Sequence, residues 1–589
     1  MNRIAWNWPQ IVLVWAVLAF ALSLPTLKTG VPPGVTGDDA MRLVEAIDLF
    51  NGQSWFDTTQ YRDNAPFGAP MHWSRLIDAP LVALMALARP FAHDMAPYWA
   101  AFAWPLLVLL VVVALVSKLA EIVAGPAARL PALVLLTMTL AVYTEFIPGR
   151  VDHHNVQIAL TLGMIIASLL GRSSVGWALG AGALAATGVA IGTEILPSVA
   201  AVLICFALYW AVDPRRNKAH LLAVAASFSL GLCLHLMASK SPWGWLEPAC
   251  DALSITYVVA GAGFGVAALV ATLMMPLLRH PAARVVALSA LAAALVLALV
   301  WLFPECRYGP YGNLDPDVAK ILMPDIGEAQ PLWAWADGLR PQTALLITPF
   351  LGMATLFLVP LLVPAEQRWR WLVLGGFSLA LFAVFCLQIR GFRLLSIALL
   401  PGPAWIVVHA QAWFRQRRTL RSAVSVVLAV VAFMGPAHWA FFSLAYAASG
   451  PAQSSSVTDH WNACLERSAF APLAALPRGH LMSFLLIGPQ LLLETPHTVV
   501  SSGYHRNEAG LRDMVRFFRD GEAEARSVVE ERDIDYLVFC RGIPPSQALA
   551  GLPDFDGLSW PWLVQLSPPE APIQIYAVKR DQSAPKLPS

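Results

Sequence analysis

The sequence is poor in charge and in cysteine. Only 13% of its 589 residues are Asp, Glu, Lys or Arg, and the formal net charge is +1. A balance this close to neutral gives no sign of a nucleic-acid or other polyanionic partner. The chain has 7 cysteines, and none stands in a Cys-x-x-Cys pair or at zinc-finger spacing. The sequence therefore has no cysteine-based metal or redox motif.

Apolar side chains take the place of charge. Hydrophobic residues make up 57% of the chain, and the mean hydropathy is +0.60. Because a helix needs about 20 apolar residues to cross a bilayer, this composition predicts a polytopic α-helical membrane protein. We identify about thirteen spans from apolar windows bounded by charge, Gly or Pro. They lie near residues 10–27, 98–121, 130–147, 154–171, 174–191, 194–212, 219–238, 255–277, 284–303, 343–363, 370–388, 394–412 and 421–446.

The basic residues between these spans indicate the orientation of the chain. Short cytoplasmic loops carry an excess of Lys and Arg, which favours a cytoplasmic N-terminus here. The inside loops are then DPRRNKAH (213–220), RHPAAR (279–284), EQRWR (366–370) and FRQRRTLR (414–421). The short outside turns are nearly free of basic residues, except for QIRGFR (388–393).

The same orientation predicts two domains. Residues 1–446 form the transmembrane domain, with long outside loops at residues 28–97 and 304–342. Residues 447–589 mix helix-like and strand-like segments, so we expect a small outside α/β domain. Its cysteines, Cys464 and Cys540, can pair if the outside is an oxidising periplasm.

On this topology the unusual polar residues collect on the outer side. Carboxylates and imidazoles are ligands for divalent cations, whereas guanidiniums bind phosphate. Ionisable residues at membrane depth usually mark a functional site. The candidates are Asp38 and Asp39 in VTGDDAMRL, Asp152, His153 and His154 in GRVDHHN, Glu194 in IGTEILP, Glu328 in DIGEAQPL, and Arg390 and Arg393 in QIRGFRLL.

Each of these residues also has an ordinary interpretation. GDDAMRLVEAIDLFNG is compatible with an amphipathic surface helix, in which Asp38 or Asp39 caps the N-terminus and Gly52 ends the helix. Asp152 can likewise cap a helix while the two histidines stay in water. Arg390 and Arg393 can extend to lipid headgroups.

The order of the motifs resembles the catalytic subunit of oligosaccharyltransferase, a membrane glycosyltransferase of the GT-C class. The span count, the two long outside loops and the outside C-terminal domain are similar. The matching residues are Asp38 or Asp39 for the acid of the first loop, Asp152 and His154 for the acid-x-acid/His motif, Glu328 for the glutamate of the SVSE or TIxE motif, and Arg393, or less well Arg390, for the arginine that holds the lipid-linked diphosphate.

The resemblance implies an enzyme that transfers a sugar or oligosaccharide from a polyprenyl (di)phosphate donor, with inversion. A divalent cation, Mn²⁺ or Mg²⁺, would be bound by Asp38 or Asp39 together with Asp152, His154 and Glu328. Asp38 or Asp39 would also orient the acceptor and take its proton. Arg393, or less well Arg390, would bind the donor phosphate, and His153 would either face away or support a ligand. Glu194 matches no motif of the family, and we expect it to support a ligand or to contact the lipid phosphate.

The acceptor stays open, because the WWDYG motif that reads the protein sequon in this family is absent after residue 446. A protein, a glycolipid or a polysaccharide can therefore be the acceptor, at the periplasmic face of a bacterial inner membrane. The polar stretch TPHTVVSSGYHRNEAG (495–510) has two interpretations, a turn packed on the small domain or an acceptor contact.

Two alternatives share these features. A GT-C enzyme that moves one sugar from a polyprenyl monophosphate onto a lipid or polysaccharide needs no sequon reader. A non-enzymatic transporter of lipid-linked sugars would have a similar span count, but it predicts ionisable residues within spans and internal repeats. The predicted spans are nearly free of charge and show no repeat, which disfavours the transporter.

Overall fold

The structure, a computed structural model, describes residues 6–32, 34–309, 311, 314–335, 340–449, 455–543 and 560–580. The chain divides into two compact units. The first unit consists of Met1–Gly34, Trp73–Gly312 and Glu328–Gly450. The second consists of Val35–His72, Asn313–Gly327 and Pro451–Ser589. Part of the first predicted outside loop therefore belongs to the same unit as the C-terminal segment.

The first unit is helical. Its α-helices are Trp8–Thr29, Arg75–Ala92, Ala96–Ala124, Arg129–Thr137, Leu140–Glu145, His154–Gly171, Val175–Ile191, Leu196–Val212, Pro214–Ser239, Ile255–Leu273, Pro281–Leu302, Leu332–Trp335, Ala344–Leu362, Ala365–Leu387, Phe392–Ala398, Pro401–Arg417, Leu420–Val431 and Gly435–Ser449. Short 3-10 turns precede several of them, including Thr193–Ile195 and Ile389–Gly391. These two turns carry charged residues, Glu194 and Arg390.

Among the described residues, nine helices are long and apolar enough to cross a membrane, or up to eleven if each of two bent pairs forms one span. The bent pairs coincide with the last two predicted spans. The prediction of a polytopic helical fold is confirmed, but two of the thirteen predicted spans do not meet this length. Residues 174–191 form a helix of 17 residues, and residues 130–147 are divided between Arg129–Thr137 and Leu140–Glu145.

Small residues allow the helices of the first unit to approach closely. A Cβ atom at Gly182, in Val175–Ile191, would lie 2.4 Å from the backbone oxygen of Val224 in Pro214–Ser239. A Cβ atom at Gly231 would lie 2.7 Å from that of Ala186. Helices in a bilayer associate by van der Waals packing, which such contacts maximise. The Gly/Ala-rich sequence of residues 176–188 therefore specifies a tight helix pair.

The second unit has a mixed α/β fold. Its α-helices are Asp38–Phe50, Pro316–Asp325, Ser455–Leu465, Ala471–Ala474, Gly488–Glu494, Glu508–Arg519 and Glu522–Glu531. A sheet contains five strands in the order Thr498–Val499, His480–Ser483, Ile534–Cys540, Ile573–Val578 and Leu563–Gln565. The first three strands run parallel, and the last two pair antiparallel. Thr59–Gln60 and Ala69–Pro70 form a separate short antiparallel pair.

Two disulfides join segments that are distant in sequence. Cys464 and Cys540 are bonded within the second unit, as the sequence suggested. Cys250 and Cys306 form a second disulfide within the first unit, which sequence reasoning did not identify. All four cysteines lie in segments predicted to be outside, whereas Cys205, Cys233 and Cys386 are free and lie in helices.

A buried carboxylate connects two parts of the second unit. Asp63 is fully buried and accepts hydrogen bonds from Ser502 Oγ at 2.6 Å, Asn507 Nδ2 at 2.9 Å and the Asn64 backbone N–H at 2.9 Å. Arg532, also buried, donates to Asn64 Oδ1 and to the backbone oxygen of Ala65. The segment around residue 63 is therefore held by the C-terminal segment through side-chain hydrogen bonds.

Asp63 makes the stability of this unit depend on pH. Burial raises its pKa from 3.8 to about 7, although the hydrogen bond from Ser502 opposes the shift. Since the folded state binds the proton more tightly than the unfolded chain, the stabilisation is complete below about pH 4 and is lost as the pH rises through 7.

We therefore expect the melting temperature of the purified protein to fall, relative to the Asp63→Asn variant, as the pH rises from 4 to 8. Asn has the same shape and does not titrate, and its amide can donate to Ser502 Oγ. The measurement is intrinsic fluorescence on heating, at several pH values in one detergent. Parallel pH profiles of the two proteins would contradict the role given to Asp63.

Candidate active site

Charged residues from five helix ends meet in the first unit. Leu140–Glu145 ends at Glu145, His154–Gly171 begins directly after Asp152 and His153, and Thr193–Ile195 carries Glu194 before the helix that starts at Leu196. The remaining residues come from the turn Gly327–Ala329 and the region Ile389–Ala398. They are Glu328, Arg390 and Arg393.

One part of the cluster combines carboxylates with imidazoles. His153 Nδ1 lies 2.6 Å from Asp152 Oδ1, and His154 Nε2 lies 3.3 Å from Asp152 Oδ2. His154 also lies 3.2 Å from Glu194 Oε2 and 3.9 Å from Glu328 Oε1. Asp152, His153 and His154 are all buried, with at most 8% of their surface exposed. Two sets of three, Asp152–His153–His154 and His154–Glu194–Glu328, each bring their ligand atoms within 4.8 Å of one another.

The other part of the cluster contains two guanidiniums. Arg393 Nε lies 2.8 Å from Glu145 Oε1, and Arg393 Nη2 is also paired with Glu328. Arg390 is paired with Glu194 and lies 3.7 Å from Glu328 Oε1. Glu194 and Glu328 therefore each lie beside both an imidazole and a guanidinium.

The positive groups keep Glu328 ionised. Its partial burial would raise the pKa, but the charge of Arg393, followed by those of His154 and Arg390, lowers it to about 2. A carboxylate with so low a pKa carries its negative charge at every physiological pH. It is therefore available both to a cation and to a guanidinium.

Glu145 is a residue of this cluster that sequence reasoning missed. It is 1% exposed and is paired with Arg393 and, at 3.4 Å, with Arg150. The signal was present in the sequence, since Glu145 is an acid within the apolar window 130–147. Glu145 is therefore an exception to the low charge of the predicted spans, and a buried acid of this kind needs a partner.

The structure also tests the capping alternatives. The residue before His154–Gly171 is His153, and no side chain caps that helix end. The helix Asp38–Phe50 begins at Asp38, and its N-cap residue is Gly37, which has no side chain to cap with. The helix ends at Phe50, and Gly52 follows the C-cap residue Asn51 with φ +107°, donating its backbone N–H to the backbone oxygen of Leu49, so the predicted stop at Gly52 is confirmed. Neither Asp152 nor the Asp38–Asp39 pair occupies the capping position.

Seven of the nine predicted residues are thus in one cluster: Asp152, His153, His154, Glu194, Glu328, Arg390 and Arg393. The other two, Asp38 and Asp39, belong to the second unit. Asp38 is exposed and Asp39 is fully buried. The chemical role of each residue stays a prediction.

The chain matches no protein-family model and no curated protein sequence. It is similar in structure to the oligosaccharyltransferase AglB of Archaeoglobus fulgidus, solved with an inhibitory peptide and a dolichol-phosphate. The TM-score is 0.64 at 14% identity, over 91% of this chain and 69% of that one.

Two further structures of the Archaeoglobus fulgidus oligosaccharyltransferase are also similar. The form tethered to an acceptor peptide with an NVT sequon gives a TM-score of 0.63 at 14% identity, over 90% of this chain and 69% of that one. The complex with Zn and sulfate gives 0.59 at 13% identity, over 90% and 68%. At this identity the likeness concerns the fold. The chain is an integral, multi-pass membrane protein with the fold of the GT-C glycosyltransferases.

Proposed function

We propose that the protein transfers a sugar or oligosaccharide from a polyprenyl (di)phosphate donor to an acceptor at the non-cytoplasmic face of the membrane. The observation that carries this proposal is the partly buried cluster itself, in which acids and imidazoles adjoin two guanidiniums. A lipid-linked sugar phosphate needs both groups: ligands for a cation and donors for the phosphate oxygens. The fold neighbour solved with a dolichol-phosphate supports a lipid-linked donor.

The acids and imidazoles fit a divalent cation. Asp152, His154, Glu194 and Glu328 offer mixed oxygen and nitrogen ligands, which suit Mn²⁺ or Zn²⁺ and, where carboxylates dominate, Mg²⁺. His154 is close to all three acids, so it is central to such a site. A bound cation would neutralise the charge that develops on the departing phosphate. The fold neighbour crystallised with Zn and sulfate is consistent with this chemistry.

The guanidiniums fit the donor phosphate. Arg393 follows the turn Ile389–Gly391 at the start of a helix, next to a predicted membrane span, where we propose that it meets a lipid phosphate. Its planar fork can donate two parallel hydrogen bonds to phosphate oxygens. Glu145 is deeply buried and its Oε1 lies 2.8 Å from Arg393 Nε, so the ion pair holds the guanidinium near the cluster before the donor binds.

The reaction we propose is a single displacement. The acceptor nucleophile attacks the anomeric carbon, the bond to the phosphate oxygen breaks, and the configuration is inverted, by analogy with one-step glycosyl chemistry. Arg393 and Arg390 bind the phosphate as it leaves. The role of Asp38 or Asp39 in orienting the acceptor and taking its proton is a proposal from the motif order.

Two versions of this function differ in the acceptor that receives the sugar. The absence of a WWDYG motif after residue 446 removes the specific argument for a protein sequon. Transfer of a single sugar from a polyprenyl monophosphate to a lipid or polysaccharide is therefore our second candidate. Both versions use the same cluster and the same donor class.

We propose a bacterial inner membrane, with the cluster facing the periplasm. The loop charges and the two disulfides support this orientation, since disulfides persist in an oxidising compartment. An impermeant maleimide should label Glu570→Cys in intact spheroplasts and Lys218→Cys only after permeabilisation. Both side chains are exposed. The reverse pattern would reject the orientation.

Deletion of the gene tests the function itself. The deleted strain should accumulate a polyprenyl-linked sugar, because the donor is no longer consumed, and should lack one glycosylated product. Mass spectrometry of lipid extracts, glycopeptides and polysaccharide identifies both molecules. An unchanged lipid-linked sugar pool would refute glycosyl transfer from such a donor.

Replacement of Asp152 by Asn tests the cation. We expect Asp152→Asn to lower turnover of the accumulated donor by at least about tenfold, since loss of an anionic ligand weakens a metal site. A chelator should abolish wild-type turnover, and Mn²⁺ or Mg²⁺ should restore it. The control is Asp213→Asn, because Asp213 caps the helix Pro214–Ser239 and Asn caps equally well. Full turnover in Asp152→Asn and no effect of chelator would exclude the metal role.

Replacement of Arg393 tests the phosphate contact. Arg393→Lys keeps the charge but loses the fork, so the donor KM should rise by about tenfold, the value of one charged hydrogen bond. Arg393→Ala should raise it further. Arg215→Lys, on an exposed surface, is the control. A donor KM that stays at the wild-type value in both Arg393 variants would show that another residue binds the phosphate.

A further inference from the structure

The second unit distinguishes the two acids of the Asp38–Asp39 pair. Asp38 is exposed at the first position of its helix, whereas Asp39 is fully buried. Arg42, one turn further along the same helix, is also fully buried. Residues three apart on a helix are neighbours, so Asp39 lies on the face that Arg42 occupies. A substrate that arrives from water or from the bilayer can reach Asp38 but not Asp39.

The exposed acid has a specific partner on the C-terminal segment. Tyr504 Oη donates a hydrogen bond to Asp38 Oδ1 at 2.9 Å. The tyrosine is itself 7% exposed, so its ring is held by packing while its hydroxyl reaches an exposed carboxylate. The partners are distant in sequence, and Tyr504 lies in the polar stretch 495–510 whose role the sequence left open.

The loop that carries Tyr504 is fixed at both ends by one carboxylate. Ser502 Oγ and Asn507 Nδ2 both donate to Asp63, and these two residues flank the tetrapeptide Gly503–Arg506. The backbone N–H of Asn507 donates to the backbone oxygen of Tyr504 at 2.8 Å, which closes the turn. Gly503 has φ +83°, a conformation that favours glycine. The loop therefore has a defined shape within this unit.

We infer that Asp38, rather than Asp39, is the acid of this pair that meets the substrates, and that the Asp63-anchored loop Gly503–Arg506 positions it through Tyr504. The inference rests on the proposed glycosyl transfer. Tyr504 is a positioning residue, because it acts on the reaction only through Asp38. A hydrogen bond to one oxygen restricts the rotamers of the Asp38 side chain and so leaves the direction of its carboxylate defined before a substrate binds.

The test uses the full-length protein with the donor isolated from the deletion strain, and membranes of that strain as the source of acceptor. Tyr504→Phe removes only the hydroxyl, so we expect kcat to fall by roughly tenfold while the donor KM and the melting temperature stay unchanged. Asp38→Asn should reduce turnover more strongly. Tyr61→Phe is the matched control, since Tyr61 Oη donates to Asp57 at 2.8 Å on an exposed surface of the same unit.

A double mutant tests whether Tyr504 acts through Asp38. If it does, adding Tyr504→Phe to Asp38→Asn causes no further loss, whereas independent effects would multiply. A double mutant whose fold-reduction in turnover equals the product of the two single reductions would overturn the positioning role, and so would a wild-type kcat in Tyr504→Phe. Full turnover in Asp38→Asn would overturn the choice of Asp38, whatever Asp39→Asn does. If the wild-type protein fails to consume the donor, the proposed function fails instead, so the two failures are distinguishable.

Discussion

The arrangement of the helix ends in the first unit depends on the free-energy cost of burying charged side chains. A buried carboxylate or guanidinium is tolerated only when an opposite charge or several hydrogen bonds compensate its lost hydration. Here Glu145, Glu194 and Glu328 are each paired with an arginine, and Asp152 is paired with two imidazoles. Each of these acids has at least two positively charged or imidazole neighbours, so the compensation is shared across the cluster. The helix ends that carry these residues are therefore fixed relative to one another by their charges.

The same charge pairing would also preorganise the site for the proposed reaction. Carboxylates that already have low pKa values present their charge at all times, and guanidiniums held by buried acids lose little freedom when a phosphate binds. On the proposed function, a cation and a phosphate would replace some of these internal pairs. Hydrogen bonds have a comparable effect in the second unit. Asp63 accepts hydrogen bonds from both ends of a loop, and Tyr504 in that loop donates a hydrogen bond to Asp38.

The helices and most residues of the candidate site could be predicted from the sequence, because apolar windows and short polar motifs are visible without knowledge of the fold. Apolar windows predicted the helices, and the motif order selected Asp152, His154, Glu328 and Arg393. The failures concern long-range pairing. Glu145 was visible as an acid in an apolar window, but nothing local connects it to Arg393. The Cys250–Cys306 disulfide and the Tyr504–Asp38 hydrogen bond likewise join segments that are adjacent only after folding.

Residues 35–72 are a second case in which the sequence did not reveal a contact between distant segments. Hydropathy assigned them to a loop of the membrane domain, yet they form one compact unit with the C-terminal segment. The reason is specific pairing rather than composition: Asp63, Asn64 and Ala65 hydrogen-bond with Ser502, Asn507 and Arg532. Composition identifies which segments avoid the bilayer, but it does not reveal their partners.

The most direct test of the central claim is pulsed electron paramagnetic resonance of Mn²⁺ added to the purified protein. If one cluster binds both the cation and the phosphate, the spectrum should contain a nitrogen coupling from imidazole that is absent in His154→Ala. A phosphorus coupling should appear when a polyprenyl phosphate is added. A Mn²⁺ spectrum identical to that of the aqueous ion, with neither coupling, would contradict the account.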